Sequence, residues 1–259
     1  MCPIEPLQDP RERSERPRSC CGSLLNLACG RIRRLVIIDD PWLEDPSTST
    51  PQFSEEFRSQ FRQLLVWRRD VRRFRPDPVD LRIVTDLLSL ACLAPSVGNS
   101  QPWRFVIVSE AQRRAQVLET FRHCNEDALA AYSGERASLY SRLKLSGLAE
   151  APCHLAVFAD EAASAGHGLG RRTMPETLHY SVVAAIQVLW LAARAHGLGV
   201  GWVSILDPAE VIDALDVPSN WSLVAYLCVG YPEEEHIDPE LERHGWQGRA
   251  DVSQFILQR

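Results

Sequence analysis

The chain has 259 residues, of which 45% are hydrophobic and 24% are charged, as in an ordinary folded globular protein. Its formal net charge of −6 provides no general attraction to nucleic acid, so we expect no such partner. No uninterrupted apolar stretch approaches the roughly 20 residues of a membrane-spanning helix, and the first residues lack the pattern of a secretory signal. We therefore expect a cytoplasmic protein with no membrane partner.

The first 52 residues differ in composition from the rest of the chain. They contain seven of the 17 prolines, a stretch of mixed charges and a polar run at residues 47–51. Segments of this composition bury too little apolar surface to fold. The sequence therefore predicts a disordered extension at residues 1–52 and a single folded domain at residues 53–259.

Helical and extended patterns alternate along the predicted domain. Apolar residues at helical spacing predict helices at residues 54–67, 80–93, 110–122, 135–148, 177–196 and 208–215. Runs of apolar, β-branched and aromatic residues predict strands at residues 103–108, 154–158, 200–205 and 222–229. The helix at 177–196 is nearly all apolar and ends before Gly197, so we expect it to be buried at the centre. The sum is an α+β domain with a small sheet flanked by helices.

Residues 68–75 form an Arg-rich turn with five arginines and one aspartate. Guanidinium groups suit phosphate because each donates two parallel hydrogen bonds to two phosphate oxygens. The same run is also compatible with a solvated charged surface. Asp70 is accordingly either a structural ion-pair partner or an acid–base group.

A polar loop separates the predicted helix at 80–93 from the first predicted strand. Ser96, Asn99, Ser100 and Gln101 concentrate donors and acceptors that suit the edge of a polar heterocycle. A simple capped turn has the same composition. Both interpretations remain open from these residues alone.

Three alternating glycines, Gly197, Gly199 and Gly201, follow the predicted central helix and precede Ser204. They permit either close approach of a ligand or tight packing of the chain on itself. The spacing is not that of a dinucleotide-binding loop, and Ser204 lacks the Gly-x-Ser-x-Gly context of a hydrolase nucleophile. The seven histidines are dispersed, so no metal site is predicted.

Taken in order, these segments resemble the flavin-dependent nitroreductase superfamily. The resemblance rests on the Arg-rich turn, Ser-Val-Gly-Asn-Ser-Gln-Pro-Trp at 96–103, the long central helix, Gly-Val-Gly-Trp-Val-Ser-Ile-Leu at 199–206 and Gly-Tyr-Pro at 230–232. Within that superfamily the chain resembles the flavin-consuming branch, the 5,6-dimethylbenzimidazole synthases, through these strings and those at 143–145, 173–177 and 241–249. The resemblance covers roughly residues 57–250.

The resemblance implies a nitroreductase-like α+β fold, with a small antiparallel sheet around a buried central helix. It also implies a homodimer with flavin at the subunit interface. Reduced FMN is then the substrate and dioxygen the co-substrate. The flavin ring is fragmented to 5,6-dimethylbenzimidazole, the lower ligand of vitamin B12, and D-erythrose 4-phosphate leaves. A flavin reductase that supplies reduced FMN is a further implied partner.

The resemblance assigns Asp70 and Ser204 to the chemistry. We expect the segment at residues 123–146 to form a lid over the flavin. The residues expected to bind FMN are Arg68, Arg69, Asp70, Val71, Arg72, Ser96, Asn99, Gln101, Lys144, Met174, Ser204 and Arg249.

Two other functions fit a flavin-binding domain. The first is an NAD(P)H-dependent, FMN-containing nitroreductase or quinone reductase, which keeps its flavin. The second is a flavin-binding or storage protein without catalysis. The fate of the flavin distinguishes the three functions, since only the flavin-consuming synthase destroys it.

Overall fold

The computed structural model describes residues 50–259, so the predicted disorder of the N-terminal extension lies outside the described residues except at its last three positions. The core is a four-stranded sheet of β1 (Trp103–Ile107), β2 (Cys153–Asp160), β3 (Gly199–Val203) and β4 (Trp221–Gly230). The strand order is β1-β2-β4-β3, and every neighbouring pair is antiparallel. The first seven residues of β2 are buried, because helices cover both faces of the sheet there.

The helices lie close to the predicted positions. Side chains that accept a hydrogen bond from the first helical turn cap three of the helix starts. The hydrogen bonds are Phe57 N to Ser54 at 3.1 Å, Arg82 N to Asp80 at 2.8 Å and Ala209 N to Asp207 at 2.7 Å. The helices are α1 (Glu55–Trp67), α2 (Leu81–Ala91), α3 (Ala111–Ala130), α4 (Gly134–Tyr140), α5 (Thr177–Ala195), α6 (Pro208–Leu215) and α7 (Glu240–Arg243).

Helix α5 is the predicted central helix. It packs on the sheet and against α2, and its residues Val182, Ala185 and Ile186 have no exposed surface. An 18-residue window of its 19 residues has a mean hydropathy of 1.3, so by length and composition alone it also passes for a membrane span. Its burial in the core accounts for that composition. The predicted α+β fold, with a small antiparallel sheet and a buried helix, is confirmed.

Two predicted helix boundaries are wrong. Helix α3 continues to Ala130 instead of ending at residue 122, and the helix predicted at 135–148 ends at Tyr140. Tertiary contacts explain the second difference, since the carbonyl oxygen of Lys144 accepts a hydrogen bond from Arg72 Nη1 at 2.9 Å. Gly147 also lies so close to the Phe74 ring that a Cβ at this position would overlap it. These contacts hold the segment after α4 in a non-helical path.

A histidine–tyrosine pair is buried in the sheet between β2 and β4. His154 is 1% exposed, and its Nδ1 lies 3.0 Å from the hydroxyl of Tyr226, which has no exposed surface. Burial, together with the charge of Arg114, lowers the pKa of His154 to about 4. The imidazole is therefore neutral in the folded protein at physiological pH.

This pair predicts a pH-dependent loss of stability. The unfolded chain binds a proton at His154 below about pH 6.5, whereas the folded chain does not until about pH 4. The free energy of unfolding should therefore fall as the pH is lowered through this window, by about 3 kcal/mol at pH 4 from this group. Urea unfolding of the wild type and of His154→Gln from pH 7 to pH 4 measures the difference. Parallel curves for the two proteins would contradict the assignment.

Candidate active site

The Arg-rich turn is joined to the free edge of the sheet. Val71 N donates to the carbonyl oxygen of Val200 in β3 at 3.0 Å, and Asp70 and Val200 form an isolated parallel bridge. Phe74, only 1% exposed, forms a second bridge with Pro232. The turn is therefore held as a short extension of the sheet.

Two of the alternating glycines make this docking possible. A Cβ at position 201 would overlap the carbonyl oxygen of Val71, and one at Gly199 would lie 2.7 Å from Val71 Cγ2. Gly197 has a different role, since its φ of 73° ends α5 in a left-handed conformation. Tight packing of the chain on itself, one of the two interpretations of these glycines, thus accounts for Gly199 and Gly201.

Asp70 is fixed through both carboxylate oxygens. Oδ1 accepts from Trp202 N at 2.9 Å, and Oδ2 accepts from Arg72 Nε at 2.9 Å. Burial raises the pKa of Asp70, the Arg72 charge and the Trp202 N–H lower it, and the charge of Glu240 raises it further. The side chain is still 31% exposed and lines an open cleft of about 340 Å³. It is thus an oriented carboxylate that remains accessible from the cleft.

Arg72 ties the turn to the segment after α4. Its side chain is 13% exposed and bridges Asp70 and the Lys144 carbonyl oxygen. The Lys144 ammonium group itself lies 2.5 Å from Glu150 Oε1. Lys144 therefore contacts the Arg-rich turn through its main chain, while its charge is paired elsewhere.

Three arginines form a positive cluster beside this carboxylate. The Arg68 guanidinium lies 5.0 Å from the centre of the Trp190 ring, and Trp190 Nε1 donates to the Arg69 carbonyl oxygen at 3.2 Å. Burial lowers the pKa of Arg68 and of Arg69, and the charge of Arg249 lowers each further, whereas the charge of Asp70 raises the pKa of Arg68 and that of Asp238 raises the pKa of Arg69.

No carboxylate of the described residues is in direct contact with this cluster. Within residues 50–259, none of Arg68, Arg69 and Arg249 forms an ion pair, and the buried Nε of Arg69 has no hydrogen-bond acceptor. Adjacent unpaired guanidinium groups favour a multivalent anion. The residues present therefore fit the phosphate group of a mononucleotide.

Ser204 directly follows β3. It lies two residues after Trp202, about 7 Å along the strand from the amide that binds Asp70. The residue is exposed, and its hydroxyl makes no hydrogen bond to any residue from 50 to 259. Its hydroxyl is thus available to a ligand at the same edge of the sheet.

The polar loop lies at the other end of α5. Val97 N donates to Ser181 Oγ at 3.0 Å, and Gln101 N donates to Ser96 Oγ at 3.1 Å. Asn99 and Gln101 have φ angles of 54° and 47°, in the left-handed region that non-glycine residues rarely occupy. Strained backbone of this kind is frequent at ligand-binding loops.

The expected FMN-binding residues thus fall into two groups. Ser181, which binds the polar loop, and Trp190, which stacks on Arg68, are nine residues apart on α5, about 14 Å along the helix axis. The first group comprises Arg68, Arg69, Asp70, Val71, Arg72, Lys144, Ser204 and Arg249. The second comprises Ser96, Asn99, Gln101 and Met174, whose carbonyl oxygen accepts from Thr177 N at the start of α5.

Two contributors near the first group were not predicted. The sequence pattern predicts Trp190 only as part of an apolar helix, whereas in the structure it stacks on Arg68. Glu240, whose side chain is 10% exposed, lies 2.5 Å from Arg73 Nη1. Neither carries a local signal in the sequence, since both act through residues distant along the chain. In the described part of the chain, no three His, Cys, Asp or Glu side chains are arranged to hold a metal ion.

Comparison with known proteins identifies the family. The model described as "Nitroreductase family" matches residues 65–231. The chain belongs to this family. It is 61% identical over 199 residues to a 5,6-dimethylbenzimidazole synthase of Rhodospirillum rubrum, which covers 77% of this chain and 94% of that protein. It is 48% identical over 195 residues to one from Rhodobacter capsulatus, which covers 75% and 94%.

Solved structures of other proteins share the fold. Iodotyrosine deiodinase bound to FMN and 3-iodo-L-tyrosine is 27% identical with a TM-score of 0.61, over 76% of this chain and 97% of that one. A nitroreductase family protein from Streptococcus pneumoniae is 21% identical with a TM-score of 0.54, over 77% and 100%. The resemblance expected from the sequence motifs is thus confirmed.

Proposed function

We propose that this protein converts reduced FMN and dioxygen into 5,6-dimethylbenzimidazole and D-erythrose 4-phosphate. The observation that carries the proposal is the 61% identity, over most of the chain, to a known 5,6-dimethylbenzimidazole synthase. The oriented carboxylate of Asp70 beside a cluster of unpaired arginines supports it. Reduced FMN is the substrate in this reaction, and dioxygen is the oxidant.

The first group of residues has the chemistry to hold the flavin chain. Arg68, Arg69 and Arg249 bind the phosphate in this proposal, because no carboxylate within residues 50–259 is in direct contact with them. Asp70 and Arg72 then lie beside the ribityl chain. Loss of a sugar phosphate requires proton transfers at that chain, and a fixed carboxylate can carry them.

Ser204 and the lid segment at residues 123–146 complete the proposed site. Ser204 donates a hydrogen bond to the flavin edge, since its exposed hydroxyl has no acceptor among residues 50–259. The lid at residues 123–146 limits access of water. The end of the lid segment already contacts the site, because Arg72 donates a hydrogen bond to the Lys144 carbonyl oxygen.

We further propose a homodimer with flavin at the interface. The polar loop and the Arg-rich turn lie at opposite ends of α5, so a twofold partner with an antiparallel α5 would bring its polar loop to the arginines. Exposed apolar side chains support such an interface: Phe57 and Phe61 on α1 are 45% and 44% exposed, and Tyr180 on α5 is 56% exposed. Met174 then packs on the flavin ring from the partner's side.

The reaction can be tested directly. FMN is reduced chemically, mixed with the purified protein and exposed to air, and the products are analysed by mass spectrometry. We expect 5,6-dimethylbenzimidazole together with an equal loss of total flavin. FMN that is merely reoxidised would contradict the proposal and favour a nitroreductase, which is then tested with NADH and a nitroarene. We also propose a flavin reductase as the partner that supplies reduced FMN, because the reaction consumes one molecule of it in each turnover.

The phosphate assignment predicts a specific loss of affinity. Arg68→Ala should weaken FMN binding by about tenfold to a hundredfold, since a charge-assisted hydrogen bond contributes about 1.5–3 kcal/mol. Arg194→Ala is the control, because Arg194 and Arg68 line the same cleft, which adjoins the one at Asp70, but Arg194 is paired with Glu235 at 2.6 and 3.0 Å. Fluorescence titration with FMN measures the dissociation constants of both variants. An unchanged dissociation constant for Arg68→Ala would remove this residue from the phosphate site.

A further inference from the structure

The segment at residues 239–249, which we call the C-terminal strap, is anchored to the Arg-rich turn. It begins with α7, whose first residue, Glu240, lies 2.5 Å from Arg73 Nη1 and is 10% exposed. Arg73 is three residues from Asp70 in the chain. The start of the strap is thus fixed beside the proposed site.

A glycine then turns the strap sharply. Gly245 has a φ of 74°, its N–H donates to the Glu242 carbonyl oxygen at 2.9 Å, and Trp246 N donates to the Leu241 carbonyl oxygen at 2.8 Å. This pair of bonds around a left-handed residue is a Schellman motif, which ends a helix and redirects the chain. The turn determines where the Trp246 side chain points.

Trp246 packs against the segment expected to form the lid. Its ring centre lies 5.6 Å from that of Tyr132 and 6.0 Å from that of Tyr140, in edge-to-face geometry. The Arg136 guanidinium lies 5.0 Å from the Trp246 ring centre. Tyr140 is itself 6% exposed and donates a hydrogen bond to Asn125 Oδ1 at 2.9 Å. The Trp246 indole therefore packs on a tyrosine ring whose position is fixed.

Arg249 follows Trp246 by three residues. The strap that carries it reaches the arginine cluster, because Glu240 lines the same cleft as Arg69, and the charge of Arg249 lowers the pKa of both Arg68 and Arg69. Arg249 is exposed, and residues 50–259 provide it with no ion-pair partner. The strap that carries Arg249 has side-chain contacts at Glu240 and at Trp246.

We propose that Trp246 is a positioning residue, which holds the strap against Tyr132, Tyr140 and Arg136 so that Arg249 reaches the phosphate of the bound flavin. Binding of the phosphate to Arg249 thereby also orders the lid segment, because the strap that carries Arg249 packs on that segment through Trp246. This inference rests on the proposed flavin site and adds a residue that does not touch the substrate. The effect of Trp246 on flavin affinity should depend on Arg249 and on the phosphate group.

A double-mutant cycle with two ligands tests this dependence. FMN and riboflavin, which lacks the phosphate, are titrated by fluorescence against the wild type, Trp246→Ala, Arg249→Ala and the double variant. We expect Trp246→Ala to weaken FMN binding by about tenfold, as for one charge-assisted hydrogen bond, and to leave riboflavin binding unchanged. The double variant should bind FMN no more weakly than Arg249→Ala alone. Trp246→Phe should recover most of the affinity.

Two glycines provide a test that leaves the aromatic cluster intact. A Cβ at Gly245 or at Gly248 would meet no atom within 4 Å, but only Gly245 has a positive φ. Gly245→Ala should therefore weaken binding of FMN and not of riboflavin, whereas Gly248→Ala should match the wild type.

Three results would overturn the inference. Equal losses for FMN and riboflavin would indicate a general structural defect, and additive losses in the double variant would show that Trp246 acts independently of Arg249. Wild-type affinity in Trp246→Ala would remove the residue from binding. A wild-type protein that binds FMN no better than riboflavin would instead contradict the phosphate site of the proposed function, and this inference with it.

Discussion

Asp70→Asn should lose formation of 5,6-dimethylbenzimidazole by about a thousandfold, the usual order for a lost acid–base group. The amide has the size of the carboxylate and can still accept from Trp202 N, but it cannot take up or release a proton. FMN affinity should change little, because Arg68 and Arg69 are untouched. Product formation after mixing with reduced FMN in air, and fluorescence titration with FMN, measure the two quantities.

A matched ion pair serves as the control for this variant. Asp77 pairs with Arg75 at 2.7 Å, but the two side chains are 48% and 54% exposed and line neither cleft. Asp77→Asn should therefore leave product formation unchanged. A wild-type rate in Asp70→Asn would remove Asp70 from the mechanism.

The pH dependence provides a second readout for Asp70. Burial raises the pKa of Asp70 above its ordinary value of about 3.9. If the ionised carboxylate accepts the proton, the wild-type rate falls as the pH is lowered through this raised pKa. The corresponding acid limb should be absent from the residual rate of Asp70→Asn.

Gly201→Ala should unfold more easily and also lose activity. The added methyl group would overlap the Val71 carbonyl oxygen, so the Arg-rich turn must move away from β3. Overpacking of this kind costs about 1–3 kcal/mol, and Asp70 would lose its place beside Trp202 N. We expect a decrease of about 2 kcal/mol in the free energy of unfolding and at least about a hundredfold loss of product formation.

The control for this variant is Gly248→Ala, where the methyl group meets no neighbouring atom and the backbone has no positive φ. Denaturant unfolding and the product assay are applied to both variants. A Gly201→Ala protein with wild-type stability and rate would show that the turn does not depend on this close approach.

The sequence predicts the regular elements well where local chemistry determines them. Ser54, Asp80 and Asp207 accept hydrogen bonds from the first turns of their helices, and each marks a predicted helix start to within one residue. The apolar composition of α5 predicted its central position. The predicted strands differ from the observed ones by at most two residues at either end, because their apolar runs coincide with the buried sheet.

Contacts between distant parts of the chain could not be predicted in this way. The residues after α4 have helical composition, yet Arg72 binds the Lys144 carbonyl oxygen and Gly147 packs on Phe74. The separation of the polar loop from the Arg-rich turn likewise depends on the length of α5 between them. Local patterns identified both segments as candidate binding residues, but the three-dimensional structure was needed to place them at opposite ends of one helix.

The attachment of the Arg-rich turn to β3 has a consequence for solubility. β3 is an outer strand, and the turn pairs with it at Val200. An uncovered outer strand offers unpaired N–H and C=O groups on which other chains can assemble. Substitutions that release the turn should therefore promote aggregation as well as misplace Asp70. Protection of this strand edge and placement of Asp70 then depend on the same few residues.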